Sequence, residues 1–324
     1  MRIALVTDAF YPAVDASTRT VKAVADRLVD TGHEVVVVAP GPGLASYRGC
    51  PVVRTGSRLR LGPGLARPLA DLRPDLVHLV SPGHLGRVAE VEARRLGIPA
   101  IRVACDDWEP GVDTNAFHPG LRDAWLHGRW SRARPQPAAA HRRFREPLAV
   151  VGFAGSLDAR HGVRRLADLA RVPGIRPVVI GDGPLRGWIE ARLPGARFTG
   201  ALETGDRAVA LASLDLLVHP GEHETCCHTL REAAASGLPV VAPRSGGATR
   251  VVRSLETGLL YDPADGQGLR RAVCAVAADP HRALLGARGR ELALARDWCT
   301  AVDELVDAHY RPLLDRGGAS RAAA

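Results

Sequence analysis

The sequence predicts an α/β protein made of two Rossmann-like lobes whose parallel sheets face a cleft. Short, continuous apolar runs alternate with helical patterns along most of the chain, which is typical of parallel strands that helices bury on both faces. This alternation stops after residue 103 and starts again at about residue 148. The length of 324 residues suits two domains and allows each of them to bury a core.

The first lobe is predicted to cover residues 1–112. Its first helix carries the apolar residues Val21, Val24 and Leu28 on one face. Few residues separate its last strand from the turn-rich segment Gly111–Gly120, so we expect a small lobe of about five strands. The strands assigned to it are Arg2–Thr7, Glu34–Ala39, Asp75–Val80 and Ile98–Val103, and the helices are Ser17–Asp30 and Leu85–Leu96.

The second lobe is predicted to cover residues 148–296, after a linker at 113–147 that is rich in Arg, Ala and Pro. A closing helix is expected at 297–315, followed by a disordered tail at 316–324. Ligands of such sheets bind beyond the carboxyl ends of the strands. The strands assigned to this lobe are Leu148–Ala154, Arg176–Ile180, Ala196–Phe198, Asp215–Val218, Pro239–Ala242 and Gly258–Tyr261, and its last helices are Asp265–Ala278 and Pro280–Ala295.

Charge and composition narrow the function classes. The net charge of +8 favours anionic partners, but the positive charge is spread thinly outside the segment from Arg122 to Arg145, which disfavours nucleic acid. The six Cys residues form no C-x-x-C pair, which disfavours a metal framework. The N-terminal apolar run is too short for a signal peptide, and no stretch reaches the length of a membrane-spanning helix. We therefore expect a cytoplasmic protein.

The segment that points to chemistry is HPGEHETCCHTLREAAASGLPVVAP, residues 219–243, which opens where a predicted strand ends. Glu224 and Glu232 are separated by about two helical turns, so a helix would carry both carboxylates on one face. Glu224 is expected at the N-terminus of that helix, where the amides of Thr225, Cys226 and Cys227 point at an anion. Carboxylates for sugar hydroxyls beside amides for phosphate suit a nucleotide sugar.

Two glutamates at this spacing also fit a structural role, in which Glu224 caps the helix and Glu232 is exposed to solvent. His219 after its strand fits packing or hydrogen bonding better than catalysis. His223 and His228 lack a third ligand at metal spacing. The sequence around the two glutamates decides between these interpretations.

The segment Glu224–Pro239 resembles the E-x7-E signature of the family-4 glycosyltransferases, which are retaining enzymes with the GT-B fold of two Rossmann-like lobes. The similarity includes the ending A-x-G-x-P-V-V-A. The N-terminal stretch from TDAFYP to VVAPGPG and the joint GVDTNAFHP resemble the actinobacterial GDP-mannose-dependent α-mannosyltransferases. Further segments are similar in order and spacing, namely VGFAGSL, VIGDGP at Val179–Pro184, FTG at Phe198–Gly200 and the glycines of Ser245–Gly247.

The resemblance implies transfer of a hexose from a nucleoside-diphosphate sugar with retention of configuration. Glu224 would be the catalytic residue and hold hydroxyls of the donor sugar, and Glu232 would hold the nucleotide ribose. It also implies that no metal is needed, because amides and a cationic pair neutralise the diphosphate, and that the closing helix crosses back to the first lobe. The donor-binding set that follows is Glu232, Gly155, Ser156, Arg160, His161, Gly181, Thr225, Cys226 and Cys227, with Asp15 and Ala16 in the acceptor-side loop.

The chain departs from the family pattern at three places. The Arg and Lys that grip the diphosphate in the family are replaced here by Ser156 and His161, which are not dependable cations at pH 7. Arg160 and its neighbours are candidate substitutes. Ala16 stands where the family has a Gly that lets the backbone approach the substrate. The third departure is the shortened acceptor-side lobe.

We predict a hexosyltransferase that moves a hexose from a nucleoside-diphosphate sugar to a lipid or small-molecule acceptor. The resemblance implies that the donor is GDP-mannose and the hexose is mannose. No cofactor and no nucleic-acid partner are expected, and a lipid acceptor would bring the protein into peripheral contact with an anionic membrane at its inner face. One alternative is a non-catalytic pseudo-glycosyltransferase that binds a nucleotide sugar or supports a partner enzyme. Another is an epimerase or phosphorylase of the same fold, which the context of Glu224 and Glu232 disfavours.

Overall fold

The computed structural model describes residues 1–12, 16–56, 69–80, 83–103, 105, 107–132 and 147–322, with Ala16 and 317–322 described as backbone only. The chain divides into two compact units. The first comprises Met1–Gly111 and Trp298–Ala324, and the second comprises Val112–Asp297. Each unit is built on a six-stranded sheet, which confirms the predicted α/β class with two Rossmann-like lobes.

The sheet of the first unit has the strand order β3-β4-β2-β1-β5-β6. All its neighbouring strands are parallel except β3 and β4, which form an antiparallel pair. The sequence pattern does not reveal this pair, because β3 has only two residues and β4 is not a continuous apolar run. The strands are β1 (Arg2–Val6), β2 (Glu34–Pro40), β3 (Ser46–Tyr47), β4 (Cys50–Thr55), β5 (Leu76–Leu79) and β6 (Ala100–Ile101).

A helix covers each face of this sheet. Successive side chains of a strand point to opposite faces. Ile3 and Leu5 accordingly lie in one apolar cluster with the helix Ala16–Asp30, whereas Ala4 and Val6 lie in another with the helix His84–Arg95. Burial on both faces explains why β1 is apolar at every position from Ile3 onward.

The end of the chain packs on the first unit. It is helical from Trp298 to Ala322, with an α-helix at Trp298–Leu305, a π-helical turn at Val306–Tyr310 and an α-helix at Arg311–Ala322. The indole Nε1 of Trp108 donates a hydrogen bond of 2.6 Å to the carbonyl oxygen of Ala301, which fixes the first of these helices. The prediction of a disordered tail from residue 316 is wrong as far as Ala322, because the last helix continues through that stretch.

Tyr310 is fully buried, and its hydroxyl lies 2.6 Å from Nδ1 of the fully buried His78 on β5. Burial lowers the pKa of His78 to about 4, so this imidazole is neutral at pH 7. Tyr310→Phe is expected to lower the free energy of unfolding by about 1–3 kcal/mol, because it leaves a buried ring nitrogen without its partner. Urea unfolding at pH 7 measures this loss. Tyr47→Phe is the control, because the hydroxyl of Tyr47 is only half-buried where it contacts Asp26, and an equal loss in both variants would contradict the account.

The second unit contains a fully parallel sheet with the strand order β12-β11-β10-β7-β8-β9. Its strands are β7 (Ala149–Ala154), β8 (Ile175–Ile180), β9 (Arg197–Gly200), β10 (Leu216–Val218), β11 (Val240–Pro243) and β12 (Gly258–Tyr261). Its α-helices after β7 are Arg186–Arg192, Thr204–Ala212, His228–Ala235, Ala248–Val251, Gly268–Ala278 and Arg282–Leu294, with 3₁₀ turns at Ala159–His161 and Val163–Arg171. Six strands were predicted for this lobe, and each matches within two residues at either end.

Residues 113–132 of the predicted linker are part of the second unit, so the linker prediction is wrong for them. They include a 3₁₀ turn at Pro119–Leu121 and a helix at Ala124–Ser131. The guanidinium of Arg122 donates to the carboxylate of Asp215 at 2.7 Å and thereby holds the segment against β10. Arg122 contacts both Asp215 and the carbonyl oxygen of Leu214, which lie more than ninety residues away in the sequence. No local sequence pattern reveals these contacts. The rest of the linker, 133–146, lies outside the described residues.

Among the residues that the structure describes, no helix combines the length and the apolar character needed to cross a lipid bilayer.

Candidate active site

The predicted donor-site residues come together at one edge of the second sheet. Gly155 follows β7, Gly181 follows β8, and the segment from His219 to Cys227 follows β10. Because the three strands are parallel, their carboxyl ends meet at the same edge. On the acceptor side, Asp15 lies outside the described residues and Ala16 is the first residue of the helix Ala16–Asp30.

Glu224 lies in a loop, which corrects the prediction that it begins a helix and shares a helical face with Glu232. The helix begins only at His228, with Cys227 before it in the left-handed region at φ 46°. Long-range hydrogen bonds hold the loop open: the carbonyl oxygen of Glu224 accepts from the amide of Gly247 at 2.7 Å. The carbonyl oxygen of Thr225 accepts from the guanidinium of Arg250 at 3.1 Å.

This helix boundary changes the predicted anion site. The amides without an intrahelical partner at a helix N-terminus belong to its first turn. Here that turn begins at His228, so Thr225, Cys226 and Cys227 form the loop that leads into the helix. The thiol of Cys227 contacts the carbonyl oxygen of Glu224 at 3.5 Å. Its burial raises the pKa of the Cys227 thiol to about 12, which makes it a packing residue.

The carboxylate of Glu224 lies between two imidazoles. Its Oε1 is 3.8 Å from Nε2 of His161, and its Oε2 is 3.6 Å from Nε2 of His219. His219 is almost completely buried, as its interpretation as a packed residue predicts, but its Nε2 has no hydrogen-bond partner and lies on the Glu224 side. Burial lowers the pKa of His219, so this ring is neutral at pH 7. About a quarter of the Glu224 side chain remains exposed to solvent.

Asp158 holds the other side of His161 and was not among the predicted site residues. Its Oδ1 lies 2.7 Å from Nδ1 of His161. The same oxygen accepts hydrogen bonds from the backbone amides of Arg160 and His161. The hydroxyl of Ser156 donates to its Oδ2 at 3.1 Å. Burial raises the pKa of Asp158, but the hydrogen bonds and charge of His161 together with the Ser156 hydroxyl outweigh this and lower it to about 2. The feature of the sequence that could have indicated this pair is an Asp three residues before a His, because one tight turn brings residues at this spacing together.

The other basic residues of this turn point elsewhere. Arg160 has a side chain that is 89% exposed and reaches Asp158 only at 3.4 Å. Arg164 stacks over the ring of Trp188, and Arg165 is paired with Glu222 at 3.0 Å. Within residues 160–165, His161 is thus the basic side chain that lies within 4 Å of the Glu224 carboxylate.

Glu232 lies on the helix as predicted, and its burial contradicts the alternative interpretation in which it is exposed to solvent. Its Oε2 accepts two hydrogen bonds from the guanidinium of Arg207, from Nε at 2.9 Å and from Nη2 at 2.7 Å. Arg207 also donates to the hydroxyl of Thr229 at 3.0 Å. Arg207 lies on the preceding helix, Thr204–Ala212, and no sequence motif marks it.

The backbone at Gly181 lies against the backbone of two neighbouring segments, at Gly155 and at Gly200. It has φ +141°, and its amide donates to the carbonyl oxygen of Gly200 at 2.8 Å. A Cβ at this position would overlap the carbonyl oxygen of Gly155. This crowding explains why glycine stands in the loop after β8.

Gly181→Ala is therefore expected to lower the free energy of unfolding by about 2 kcal/mol, through both steric overlap and an unfavourable φ. Gly187→Ala is the matched control, because its added Cβ would meet no atom within 4 Å, and alanine favours its helix by up to about 1 kcal/mol. Urea unfolding of the two variants measures the difference. Equal stability of both variants would contradict this description of the loop.

One trio of side chains offers ligand atoms to a cation. The nearest donor atoms of His219, Glu224 and Cys227 all lie within 4.8 Å of one another. The thiolate is the form of cysteine that binds metal, and burial keeps the Cys227 thiol protonated. We assign no metal to these residues.

Two family models match the chain. The model described as "Glycosyl transferases group 1" matches residues 149–279, and the one described as "Glycosyl transferase 4-like domain" matches residues 16–134. Among solved structures, the chain is similar to sucrose-phosphate synthase of Thermosynechococcus elongatus, with a TM-score of 0.73, 19% identity and coverage of 97% of this chain and 99% of the other. It is also similar to Anabaena HepE, with a TM-score of 0.75, 17% identity and coverage of 95% and 99%. These likenesses establish the GT-B fold.

Curated relatives extend the similarity to nearly the whole chain. A GDP-mannose-dependent α-mannosyltransferase of Mycolicibacterium smegmatis is 35% identical over 98% of this chain and 98% of its own length. A protein of the same name from Mycobacterium tuberculosis is 32% identical with the same coverage of both chains. The first alignment spans 387 positions whereas this chain has 324 residues, so the relative contains internal segments that this chain lacks. The chain belongs to the family-4 glycosyltransferases of the GT-B fold and resembles their actinobacterial GDP-mannose-dependent α-mannosyltransferases.

Proposed function

We propose that this protein transfers mannose from GDP-mannose, with retention of configuration, to a lipid or small-molecule acceptor. The observation that carries the donor assignment is the similarity, over 82–98% of the chain, to three proteins named GDP-mannose-dependent α-mannosyltransferases. The arrangement around Glu224 supports it, because a partly exposed carboxylate lies beside a basic side chain at the carboxyl edge of a parallel sheet.

The two glutamates receive the main roles in this proposal. Glu224 is the catalytic residue, and its carboxylate accepts hydrogen bonds from hydroxyls of the donor sugar. The carboxylate of Glu232 accepts hydrogen bonds from hydroxyls of the nucleotide ribose. Of the other predicted donor-binding residues, Gly155, Ser156, His161 and Gly181 line the diphosphate in this proposal. Arg160 is exposed beside Asp158, and Thr225, Cys226 and Cys227 belong to the loop that leads into the helix, so they receive no role in it.

The reaction needs stabilisation of a leaving group more than it needs a strong base. The bond between the anomeric carbon and the diphosphate oxygen breaks, and its electron pair leaves with the diphosphate. The acceptor hydroxyl oxygen then bonds to the anomeric carbon on the same face, and its proton passes to the departing oxygen of the diphosphate. Charge develops on the diphosphate as the bond breaks, so preorganised donors near it lower the barrier.

A lipid acceptor would require peripheral contact with an anionic membrane at its cytoplasmic face. The group that receives the sugar in this proposal is a hydroxyl of a lipid or of a small molecule. Asp15 and Ala16 belong to the acceptor-side loop in this proposal.

The proposal is tested by incubating the protein with GDP-mannose, EDTA, and lipid or small-sugar acceptors. Mass spectrometry of the acceptors is expected to show the addition of one hexose. NMR of the anomeric proton of the product is expected to show an α-linkage. EDTA should leave the rate unchanged if no metal is needed. UDP-glucose is the matched alternative donor.

Two outcomes would overturn parts of the proposal. Transfer from UDP-glucose in preference to GDP-mannose would contradict the donor assignment. Tight binding of GDP-mannose with neither transfer nor release of mannose, across both acceptor classes, would contradict catalysis and favour a binding protein.

A further inference from the structure

The loop after β10, residues 219–227, carries Glu224 outside any helix or strand. Its backbone groups therefore need partners from neighbouring segments. Two of these partners follow β11: the hydroxyl of Ser245 donates to the carbonyl oxygen of Glu222 at 3.1 Å, and the amide of Gly247 donates to that of Glu224 at 2.7 Å. These contacts hold the backbone of the loop, whereas its side chains depend on other residues.

Arg165 holds the same loop from the opposite end of the chain order, because it belongs to the 3₁₀ turn Val163–Arg171 after β7. Its Nε donates to Oε1 of Glu222 at 3.0 Å, and its Nη2 donates to the carbonyl oxygen of Pro263, after β12, at 2.6 Å. The N–H groups of a guanidinium diverge in a fixed fork, so one side chain can reach two such acceptors. Arg165 thus joins the segments that follow β7, β10 and β12.

The turn and the loop also touch through their backbones. Gly162 has φ +63°, and a Cβ on it would overlap the carbonyl oxygen of Pro220. Glycine permits this approach. Gly162 lies three residues before Arg165, and Pro220 lies two residues before Glu222. A backbone contact and an ion pair, close together in both segments, therefore set the loop against the turn.

The ion pair is not built for stability. The side chains of Arg165 and Glu222 are 28% and 31% exposed, and partly exposed pairs of this kind contribute little to the free energy of unfolding. Its effect on geometry can be larger, because Glu222 lies only two residues before Glu224. A displacement of about 1 Å in a catalytic group can cost up to about 10²-fold in rate.

We propose that Arg165 is a positioning residue, which holds Glu222 and Pro263 and thereby fixes the part of the loop that presents Glu224 to the donor sugar. This inference rests on the proposed function and adds to it a residue that touches neither the donor nor the acceptor. Without the guanidinium, the Glu222 carboxylate loses its partner and the loop loses its side-chain anchor to two neighbouring segments.

Arg165→Met removes both hydrogen bonds and keeps an unbranched side chain. It is expected to lower the rate of sugar transfer by about tenfold. The affinity for GDP-mannose should fall several-fold, whereas the affinity for GDP, which lacks the sugar that Glu224 contacts, should stay within about twofold. The midpoint of urea unfolding should stay close to that of the wild type. A steady-state assay of GDP release and calorimetry with both ligands measure these effects.

A double-mutant cycle with Glu224→Gln separates positioning from a general structural effect. If Arg165 acts through Glu224, then Arg165→Met adds no further loss when the carboxylate that it positions is already absent. The double variant is expected to transfer sugar at the rate of Glu224→Gln within about twofold. A general disturbance of the donor site would instead multiply the two losses.

Two more variants complete the set. Arg165→Lys keeps the charge, but a single ammonium lacks the fork that spans both acceptors, so it should recover only part of the rate. Arg288→Met is the matched control, because Arg288 also pairs with two acceptors in the same unit, Glu256 and Glu291, and it should retain the wild-type rate. If Arg165→Met does not fold, Glu222→Ala breaks the same ion pair from the loop side and answers the question in the same assays.

The possible outcomes separate the inference from the proposed function. Wild-type transfer by Arg165→Met overturns the inference and leaves the proposed function standing. The same holds for a tenfold loss that persists in the Glu224→Gln background, or for an equal loss of affinity for GDP and GDP-mannose. Absence of transfer by the wild type, or full activity of Glu224→Gln, overturns the proposed role of Glu224 and the inference with it.

Discussion

Glu224→Gln is expected to lower the rate of sugar transfer by about 10²-fold, with a much smaller change in the affinity for free GDP. The amide keeps the size of the side chain and leaves the backbone hydrogen bond to Gly247 untouched, so the loop before the helix should stay folded. It removes the negative charge that the donor sugar would contact, and interactions that strengthen in the transition state affect the rate most. A steady-state assay of GDP release, paired with calorimetry for GDP, separates the two effects.

The matched control for this variant is Glu291→Gln. Glu291 pairs with Arg288 on an exposed surface of the same unit, and its side chain is 63% exposed. It should retain the wild-type rate. Full transfer activity in Glu224→Gln, measured beside an active control, would show that Glu224 is not the catalytic residue.

Arg207→Met is expected to lower the free energy of unfolding by about 3 kcal/mol. The pair that it breaks is mostly buried, with side-chain exposures of 14% for Arg207 and 7% for Glu232. Removing the guanidinium leaves the Glu232 carboxylate buried with two of its hydrogen bonds lost. Breaking one partner of a buried pair costs far more than replacing both. Urea unfolding of the variant measures the loss.

The double variant Arg207→Met, Glu232→Leu separates stability from donor binding. It should recover most of the lost stability, because no uncompensated charge stays buried. It should not recover affinity for GDP-mannose, because the carboxylate proposed to hold the ribose is gone. Recovery of both properties would show that Glu232 does not bind the donor. Equal stability of Arg207→Met and the wild type would show that the pair is not buried as described.

The sequence predicts the sheets well because their signal is local. Continuous apolar runs mark strands buried on both faces, and eleven of the twelve strands in the described part of the chain belong to parallel pairs. The antiparallel pair β3–β4 lies at the edge of its sheet, where partial exposure breaks the apolar pattern.

The geometry around Glu224 was less predictable because distant residues determine it. Helical periodicity places Glu224 on the helix, but the left-handed Cys227 and the hydrogen bond from Gly247 keep the preceding loop from joining it. The contacts of Arg207 with Glu232 and of His219 with Glu224 depend on packing between elements. The resemblance predicts that Ser156 and His161 stand where the family has its cationic pair, whereas the contacts of Asp158 with both residues are visible only in three dimensions.

Calorimetric titration of GDP-mannose at pH 6, in the presence of EDTA, tests the central claim most directly. The claim is that the carboxyl edge of the second sheet, around Glu224 and Glu232, binds a nucleotide sugar without a metal. Saturable binding that Glu232→Gln weakens by about tenfold is the predicted result. No detectable binding of GDP, UDP or either of their sugars would contradict the account.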